Sequence, residues 1–119
     1  LLVCFLTTYV LKYGLERPRP EHAYILETSF SFPSAHASMS VVLYGMLTYL
    51  LTKRFKKAKH KVLVSVLAAL LVLLIGFSRI YLDVHYLSDV LGGLLLGGMW
   101  LGIWIFFDRR ACTMKLWKS

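Results

Sequence analysis

Long uncharged stretches limit what this 119-residue chain can fold into. Residues 62–75 contain one hydroxyl group and no ionisable side chain, and residues 90–107 are also uncharged. Hydrophobic residues make up 58% of the chain and its mean hydropathy is +0.65, whereas soluble domains are about 45–50% apolar. A soluble chain this short could not bury so much apolar surface, but a bilayer covers it. The sequence therefore predicts an integral membrane protein.

Four helical segments are predicted, forming one all-α membrane bundle over residues 1–119. They are Leu1–Gly14, Ser34–Thr52, Lys61–Tyr81 and Leu87–Phe107. The first is shorter than the roughly 20 residues that a membrane crossing needs. Its start, LLVCFLTTYV, has no Met and is typical of the second half of a helix. We therefore expect further spans before residue 1, and no cleaved signal peptide, since a basic leader segment is absent here.

Basic residues concentrate in two of the segments that flank the apolar stretches. Segment 53–61, KRFKKAKHK, has six Lys or Arg residues, and segment 108–119 has four more. Because successive helices reverse direction, both segments lie on one side of the membrane, together with a single acid, Asp108. The positive-inside rule makes this side cytoplasmic. The Pro-rich segment 15–33 and the turn at 79–89 are then expected outside the plasma membrane.

The net charge of +8 would suggest nucleic acid as a partner if the chain were soluble. Here the basic residues lie between apolar spans, and no basic-aromatic surface motif accompanies them, so we expect no nucleic-acid binding. Cys4 and Cys112 lie in or beside different spans, with no spacing that indicates a metal site or a disulfide. Oligomeric state leaves no signal in the sequence.

The fourth segment has glycines and tryptophans with expected packing roles. Gly93 and Gly97 form one GxxxG pair, and Gly98 and Gly102 form another. Such pairs allow close approach of helices, so we expect both to pack. The indoles of Trp100 and Trp104 are expected to pack or to anchor at the membrane interface.

Ionisable side chains gather at the outer ends of the helices. Lys12 ends the first segment, and the pairs Arg17-Pro18 and Arg19-Pro20 follow it; Pro33-Ser34 precedes His36; Arg79 ends the third segment, and His85 and Asp89 open the fourth. If three helix ends meet at one membrane face, these residues form a pocket with cations, two imidazoles and a carboxylate.

The chemistry of such a pocket favours phosphate. A helix that begins after Ser34 presents unsatisfied backbone N–H groups at Ala35 and His36, which attract anions. Lysine and arginine add charge, and arginine binds phosphate oxygens in bidentate fashion. His85 and Asp89, at positions i and i+4, share a helix face. The carboxylate can orient the imidazole as a nucleophile, and His36 can act as general acid, which together indicate phosphoryl transfer through a phosphohistidine.

Each signal has a simpler explanation when it stands alone. An arginine at a helix end often only extends its charged group to the membrane–water interface. A His-x-x-x-Asp pair is often a structural hydrogen bond or half of a metal site, and Pro-Ser before a helix is ordinary capping chemistry. The combination on one membrane face is what favours a site.

The spacing of these residues resembles the three-part signature of the type 2 phosphatidic acid phosphatase (PAP2) superfamily. The matching residues are Lys12 with six residues before Arg19-Pro20, then Pro33-Ser34-Ala35-His36, then Ser78-Arg79 with five residues before His85 and three more before Asp89. The pattern extends over residues 12–89. Its short loops and apolar spans are similar to the bacterial membrane lipid phosphatases of that superfamily rather than to its soluble acid phosphatases or vanadium haloperoxidases.

The resemblance implies a role for each matching residue. His85 would be the nucleophile, Asp89 its orienting partner, and His36 the acid that protonates the leaving oxygen. The phosphate would be held by the remaining set: Lys12, Arg19, Ser34, the backbone at Ala35, and Arg79. Arg17 competes with Arg19 as an Arg-Pro pair and could contact a headgroup or cap the loop, while Asp83 has no role in the motif.

One residue departs from the family pattern. Ala35 stands where the family usually has glycine. If position 35 is already helical it needs no positive φ, so we expect activity to survive with a slightly narrower pocket.

The function expected is metal- and cofactor-independent hydrolysis of a lipid phosphate or diphosphate at the outer membrane face. Candidate substrates are undecaprenyl diphosphate, phosphatidylglycerol phosphate and phosphatidic acid. Two alternatives remain open. One is a non-enzymatic membrane protein that binds or transports anions, which would not need both imidazoles. The other is a vanadate-dependent oxidase, which the membrane spans disfavour.

Overall fold

The protein is all-helical over the part of the chain that the structure describes. The computed structural model describes residues 1–22, 24 and 27–117, with side chains of the last helix described as far as Ala111. Four helices follow one another: α1 (Leu2–Leu15), α2 (Ala35–Arg54), α3 (Ala58–Tyr81) and α4 (Leu87–Trp117). No β-strand occurs within these ranges. The predicted all-α fold of four helical segments is confirmed.

Helix limits agree with the predicted ones to within a few residues, except at the end of α4. This helix continues to Trp117, well beyond the predicted end at Phe107. The prediction was wrong because it equated the end of the apolar stretch with the end of the helix. The residues that follow include Arg, Ala, Met, Lys and Leu, all good helix formers whether or not they lie in lipid.

Within the described residues, three helices are long and apolar enough to cross a bilayer: α2, α3, and the part of α4 from Leu87 to Ala111. The large side chains Leu70, Leu74 and Phe77 on α3 are exposed, and Gly76 is the buried residue of this helix. Leaving such surface in water would cost about 25 cal/mol per Å², whereas lipid accepts it. Helix α1 is shorter and buries one stripe, Cys4, Thr8 and Lys12, at i, i+4 spacing.

Helices α2 and α4 approach each other through the first glycine pair. A Cβ atom on Gly93 would lie 2.5 Å from the carbonyl oxygen of Ser34, and one on Gly97 would lie 2.5 Å from that of Ser38. The packing predicted for this pair is confirmed. For Gly98 and Gly102 it stays a prediction, since an added Cβ would meet no described atom within 4 Å.

Both tryptophans of α4 pack within the bundle, as expected. The indole Nε1 of Trp100 donates to Oγ1 of Thr7 on α1 at 2.9 Å. Trp104 meets the ring of Tyr49 on α2 edge-on, with 5.5 Å between centroids. Cys4 is buried and free, and the side chain of Cys112 lies outside the described part.

A polar cluster fastens the far ends of α2 and α4 to each other. The carboxylate oxygen Oδ2 of Asp108 accepts from Nζ of Lys53 at 2.5 Å and from the hydroxyl of Tyr49 at 3.0 Å. The basic segment after α2 and the C-terminal part of α4 therefore lie at one end of the bundle. His36 and His85, near the starts of α2 and α4, lie at the opposite end.

Candidate active site

A tight turn between α3 and α4 places His85 at the start of the last helix. Asp83 has a left-handed backbone, with φ of 52°, a conformation that aspartate tolerates better than most residues. Its N–H donates to the carbonyl of Ile80 at 2.9 Å, and the N–H of Val84 donates to that of Arg79 at 3.2 Å. Val84 is fully buried and anchors the turn. Asp83 thus shapes the backbone, consistent with its lack of a motif role.

The side chains of His85 and Asp89 are both buried and face each other. Nδ1 of His85 lies 3.5 Å from Oδ2 of Asp89, which is longer than an N–H···O hydrogen bond. Oδ2 instead accepts from the N–H of Tyr86 at 2.9 Å, and Nδ1 has no hydrogen-bond partner among the described atoms. Catalytic hydrogen bonds are often long before substrate binds. Nδ1 of His85 and Oδ2 of Asp89 are therefore positioned to form a hydrogen bond that is not formed in this structure.

The other ring nitrogen of His85 faces Arg19. Arg19 donates from one terminal nitrogen to the carbonyl of Val84 at 2.7 Å, and that nitrogen lies 3.4 Å from Nε2 of His85. A guanidinium only donates, so the geometry favours an unprotonated Nε2 and a proton on Nδ1, towards Asp89. Burial of the ring, together with the nearby charges of Arg19 and Lys12, lowers the pKa of His85 to about 4. The ring is therefore neutral near pH 7.

All N–H groups of Arg19 are engaged by the protein. Its Nε donates to the carbonyl of Ser29 at 2.6 Å, and its second terminal nitrogen donates to Oγ of Ser29 at 3.1 Å and forms an ion pair with Glu27. A phosphate oxygen that binds Arg19 must replace one of these partners. Glu27 is the anionic partner of Arg19 among the described residues, and no sequence signal indicated its position beyond its location on the outer side.

Lys12 is 2% exposed and is tied to the loop before α2. Its Nζ donates to the carbonyls of Phe30 at 2.5 Å and Ser31 at 3.4 Å. The hydroxyl of Ser31 in turn donates to the carbonyl of Pro18 at 2.9 Å. The end of α1 and the two parts of the Pro-rich segment are thereby held together around one buried ammonium group.

Ser34 caps α2 and joins it to the start of α4. Its Oγ accepts from the N–H of Ala37 at 3.5 Å, and its own N–H donates to the carbonyl of Asp89 at 2.9 Å. Ala35 is the first helical residue, and its φ is not positive. A methyl group at this position therefore causes no backbone strain, as expected from the sequence.

His36 and Arg79 lie on the more open side of the site. His36 is exposed at the second position of α2, and it interacts electrostatically with Arg79, Lys12 and Arg19. Arg79 is half-buried, its Nε lies 3.4 Å from Oγ of Ser78, and it forms no salt bridge with a carboxylate in the described part of the chain. The residues predicted for the phosphate pocket are thus gathered at one end of the bundle.

Arg17, like Glu27, is a residue at the site whose contacts the sequence did not indicate. Instead of reaching for a headgroup or capping the loop, its guanidinium donates to Oδ1 of Asp89 at 2.8 Å and to Oγ of Ser88 at 2.6 Å. An Arg-Pro pair next to the motif was the available signal, and nothing in its spacing pointed to Asp89. Among the described residues, no three His, Cys, Asp or Glu side chains are grouped as metal ligands.

Comparison with known proteins assigns the chain to a family. The PAP2 superfamily model matches residues 1–111. Phosphatidylglycerophosphatase B of Bacillus subtilis is 44% identical over 103 residues, covering 85% of this chain and 51% of the relative. An undecaprenyl-diphosphatase of Sulfolobus acidocaldarius is 35% identical over 118 residues, covering 90% of this chain and 50% of the relative. The chain thus spans about half the length of these relatives.

The fold is also similar to a solved structure. A crystal structure of a transmembrane PAP2-type phosphatidylglycerolphosphate phosphatase from Bacillus subtilis superposes with a TM-score of 0.84 at 39% identity. The match covers 92% of this chain and 57% of that one. This transmembrane neighbour and the three apolar helices identify a membrane protein. With the family model matching nearly the whole sequence, the chain belongs to the PAP2 superfamily.

Proposed function

We propose that the protein is a lipid phosphatase that transfers a phosphoryl group to His85 and then to water. The proposal rests on the surroundings of the His85 imidazole. It is 2% exposed, with Nδ1 directed at Asp89 and Nε2 directed at Arg19. A neutral imidazole between a carboxylate and a phosphate-binding cation is arranged for nucleophilic attack on phosphorus.

Substrate binding comes first in the proposed mechanism. The phosphate displaces Glu27 from Arg19 and draws the guanidinium away from Nε2 of His85, which is then free to attack. The other groups that would bind its oxygens are Lys12, Arg79, the hydroxyl of Ser34 and the first backbone N–H groups of α2, at Ala35 and His36. These donors stabilise the charge that spreads over the oxygens in the transition state.

Two proton transfers complete the cycle. Nε2 of His85 forms a bond to phosphorus while the bond to the leaving oxygen breaks, and His36 gives that oxygen a proton. Asp89 stabilises the positive imidazole that results. His36 then takes a proton from water as the water oxygen attacks phosphorus, the N–P bond breaks, and inorganic phosphate leaves. Three cations supply the positive charge that a metal ion supplies in other phosphatases, so no metal is required.

The substrate class follows from where the site lies. The pocket is at the end of apolar helices that suit a bilayer, so the phosphate of a lipid reaches it while the chains remain in the membrane. Phosphatidylglycerol phosphate, undecaprenyl diphosphate and phosphatidic acid are the candidates, and relatives named for the first two substrates support this class. By the positive-inside rule we expect the basic end of the bundle to face the cytoplasm and the pocket to lie on the outer face of the plasma membrane.

A panel of lipid phosphates tests the proposal. The purified protein is given each of the three candidates with and without excess EDTA, and phosphate release is measured. We expect turnover of at least one lipid, undiminished by EDTA and abolished in His85→Ala. Loss of activity in EDTA that a divalent ion restores would refute the metal-independent mechanism. Binding of lipid phosphate without any release would favour an anion-binding or transport protein.

A further inference from the structure

Arg17 lies outside the phosphate pocket, yet it holds a residue of that pocket. We propose that Arg17 is a positioning residue that keeps the Asp89 carboxylate directed at Nδ1 of His85. The inference rests on the proposed function, because it concerns the charge that supports His85 as a nucleophile. It adds a residue that the motif spacing does not include.

The burial of Asp89 shows why it needs a cationic partner. Its side chain is fully buried, and an ionised carboxylate without a partner is expensive in such surroundings. Among the described residues, Arg17 is the basic residue that forms a salt bridge with Asp89, at 2.8 Å. Without Arg17 the buried negative charge of Asp89 would lack its cationic partner and would act on the His85 ring uncompensated.

The two oxygens of Asp89 have separate partners that fix the plane of the carboxylate. Arg17 binds Oδ1, and the N–H of Tyr86 binds Oδ2, the oxygen that lies 3.5 Å from His85. If only one oxygen had a partner, the carboxylate could still rotate about its Cβ–Cγ bond. The contact with Arg17 therefore sets where Oδ2 points.

Arg17 is itself held on several sides. The same terminal nitrogen donates to Oγ of Ser88, and the guanidinium lies over the ring of Tyr86 at 4.6 Å from its centroid. Its carbonyl accepts from the N–H of Ser31 at 2.8 Å. These contacts direct the guanidinium at the first turn of α4 rather than at the phosphate pocket, which argues against a role in binding the substrate.

Charge around His85 gives the proposal a measurable signature. The groups that act on this ring are Arg19 and Glu27 from the Pro-rich segment, Lys12 from α1 and Asp89 from α4. In Arg17→Gln the negative charge of Asp89 would face the ring without its counter-charge. The imidazolium form would then be favoured, and His85 would titrate at a higher pH than in the original protein.

Kinetics of Arg17→Gln and Arg17→Lys test the role, with Arg54→Gln at the opposite end of the bundle as control. For Arg17→Gln we expect kcat to fall about 10- to 100-fold. This is the range typical for the loss of a residue that orients another functional side chain without contacting the substrate. KM and inhibition by inorganic phosphate should change less than about twofold, because binding groups are intact. Arg17→Lys should recover most of kcat, and the control should match the original protein.

Titration of His85 by NMR of labelled histidine tests the same role without turnover. We expect its pKa to rise in Arg17→Gln and to stay near the original value in Arg17→Lys, while thermal unfolding confirms that both variants fold. An unchanged His85 titration in folded Arg17→Gln would overturn the proposal, as would weaker phosphate binding with kcat intact. If no lipid phosphate is hydrolysed, the proposed function fails, yet the titration still decides whether Arg17 controls the pair.

Discussion

The two histidines differ in their surroundings, and the difference supports separate roles. His85 is buried between Asp89 and Arg19, whereas His36 is exposed at the start of α2 near Arg79. A buried, oriented imidazole suits attack on phosphorus. An exposed imidazole beside the open side of the pocket suits proton exchange with a leaving group and then with water.

Replacement of each histidine should distinguish these roles. In His85→Ala the nucleophile is absent, so neither a lipid phosphate nor an activated aryl phosphate should be hydrolysed. In His36→Ala attack is still possible and only the leaving group is poor. An aryl phosphate needs little protonation, so the first, pre-steady-state release of its aryl alcohol should be restored in His36→Ala far more than in His85→Ala.

Asp89→Asn provides the third point of the comparison. Its rates should fall between those of the two histidine variants, since the imidazole remains while its orientation and charge support are lost. In a serine protease triad the equivalent change costs about 10⁴ in kcat. Equal losses in all three variants with both kinds of ester would contradict the separate roles.

Glu27 is expected to compete with the substrate for Arg19. In Glu27→Gln the ion pair is gone while the side chain keeps its shape, so inorganic phosphate should inhibit about fivefold more strongly, equivalent to roughly 1 kcal/mol. Glu21→Gln, an exposed acid of the same segment, is the matched control. Weaker inhibition in Glu27→Gln would mean that this carboxylate helps to place Arg19 rather than to occupy it.

Motif spacing selected residues that the fold brings together, but it did not predict the residues that support them. Lys12, Arg19, Ser34, His85 and Asp89 are connected through one network of backbone and side-chain contacts at the predicted end of the bundle. The partners of Arg17 and Glu27 depend on how the Pro-rich segment folds over the start of α4. That path depends on tertiary contacts between residues distant in the sequence, such as the bond from Arg17 to Ser88, 71 positions apart, and no local pattern encodes it.

At the scale of helices, hydrophobic length predicted the elements well and their packing less well. Each apolar stretch became a helix because a backbone in lipid must satisfy its own hydrogen bonds. Which glycine pair meets a neighbour depends on the rotation of α4, and two adjacent GxxxG pairs have the same sequence signal. In the structure Gly97 faces α2, whereas Gly98 faces open space.

This rotation predicts opposite outcomes for neighbouring substitutions. Gly97→Ala would place a methyl group 2.5 Å from the carbonyl oxygen of Ser38, a backbone atom that cannot move aside easily. We expect a loss of about 1–3 kcal/mol in unfolding free energy. Gly98→Ala meets no described atom and should be neutral or slightly stabilising, because alanine favours helix. Thermal unfolding of both variants in detergent makes the comparison, and equal destabilisation would contradict the helix rotation.

At the scale of the whole molecule, charge asymmetry predicts the orientation in the membrane. Lys53 and Asp108 join the basic ends of α2 and α4, and the pocket lies at the other end. After Cys4 and Cys112 are replaced by serine, a cysteine in place of the exposed Lys57 should resist an impermeant thiol reagent in intact cells. A cysteine in place of the exposed Glu21 should react. The reverse pattern would place the pocket on the cytoplasmic face.

Rapid-quench trapping of the phosphorylated protein tests the central claim, that His85 attacks phosphorus. A lipid phosphate with a radioactive phosphoryl group is mixed with excess protein in EDTA, quenched in alkali to preserve phosphohistidine, and digested for peptide mapping. The account predicts transient label on the peptide that contains His85, absent in His85→Ala and longer-lived in His36→Ala, in which no base activates the water. Label that appears on the His85→Ala protein, or steady turnover by the original protein without any labelled intermediate, would contradict it.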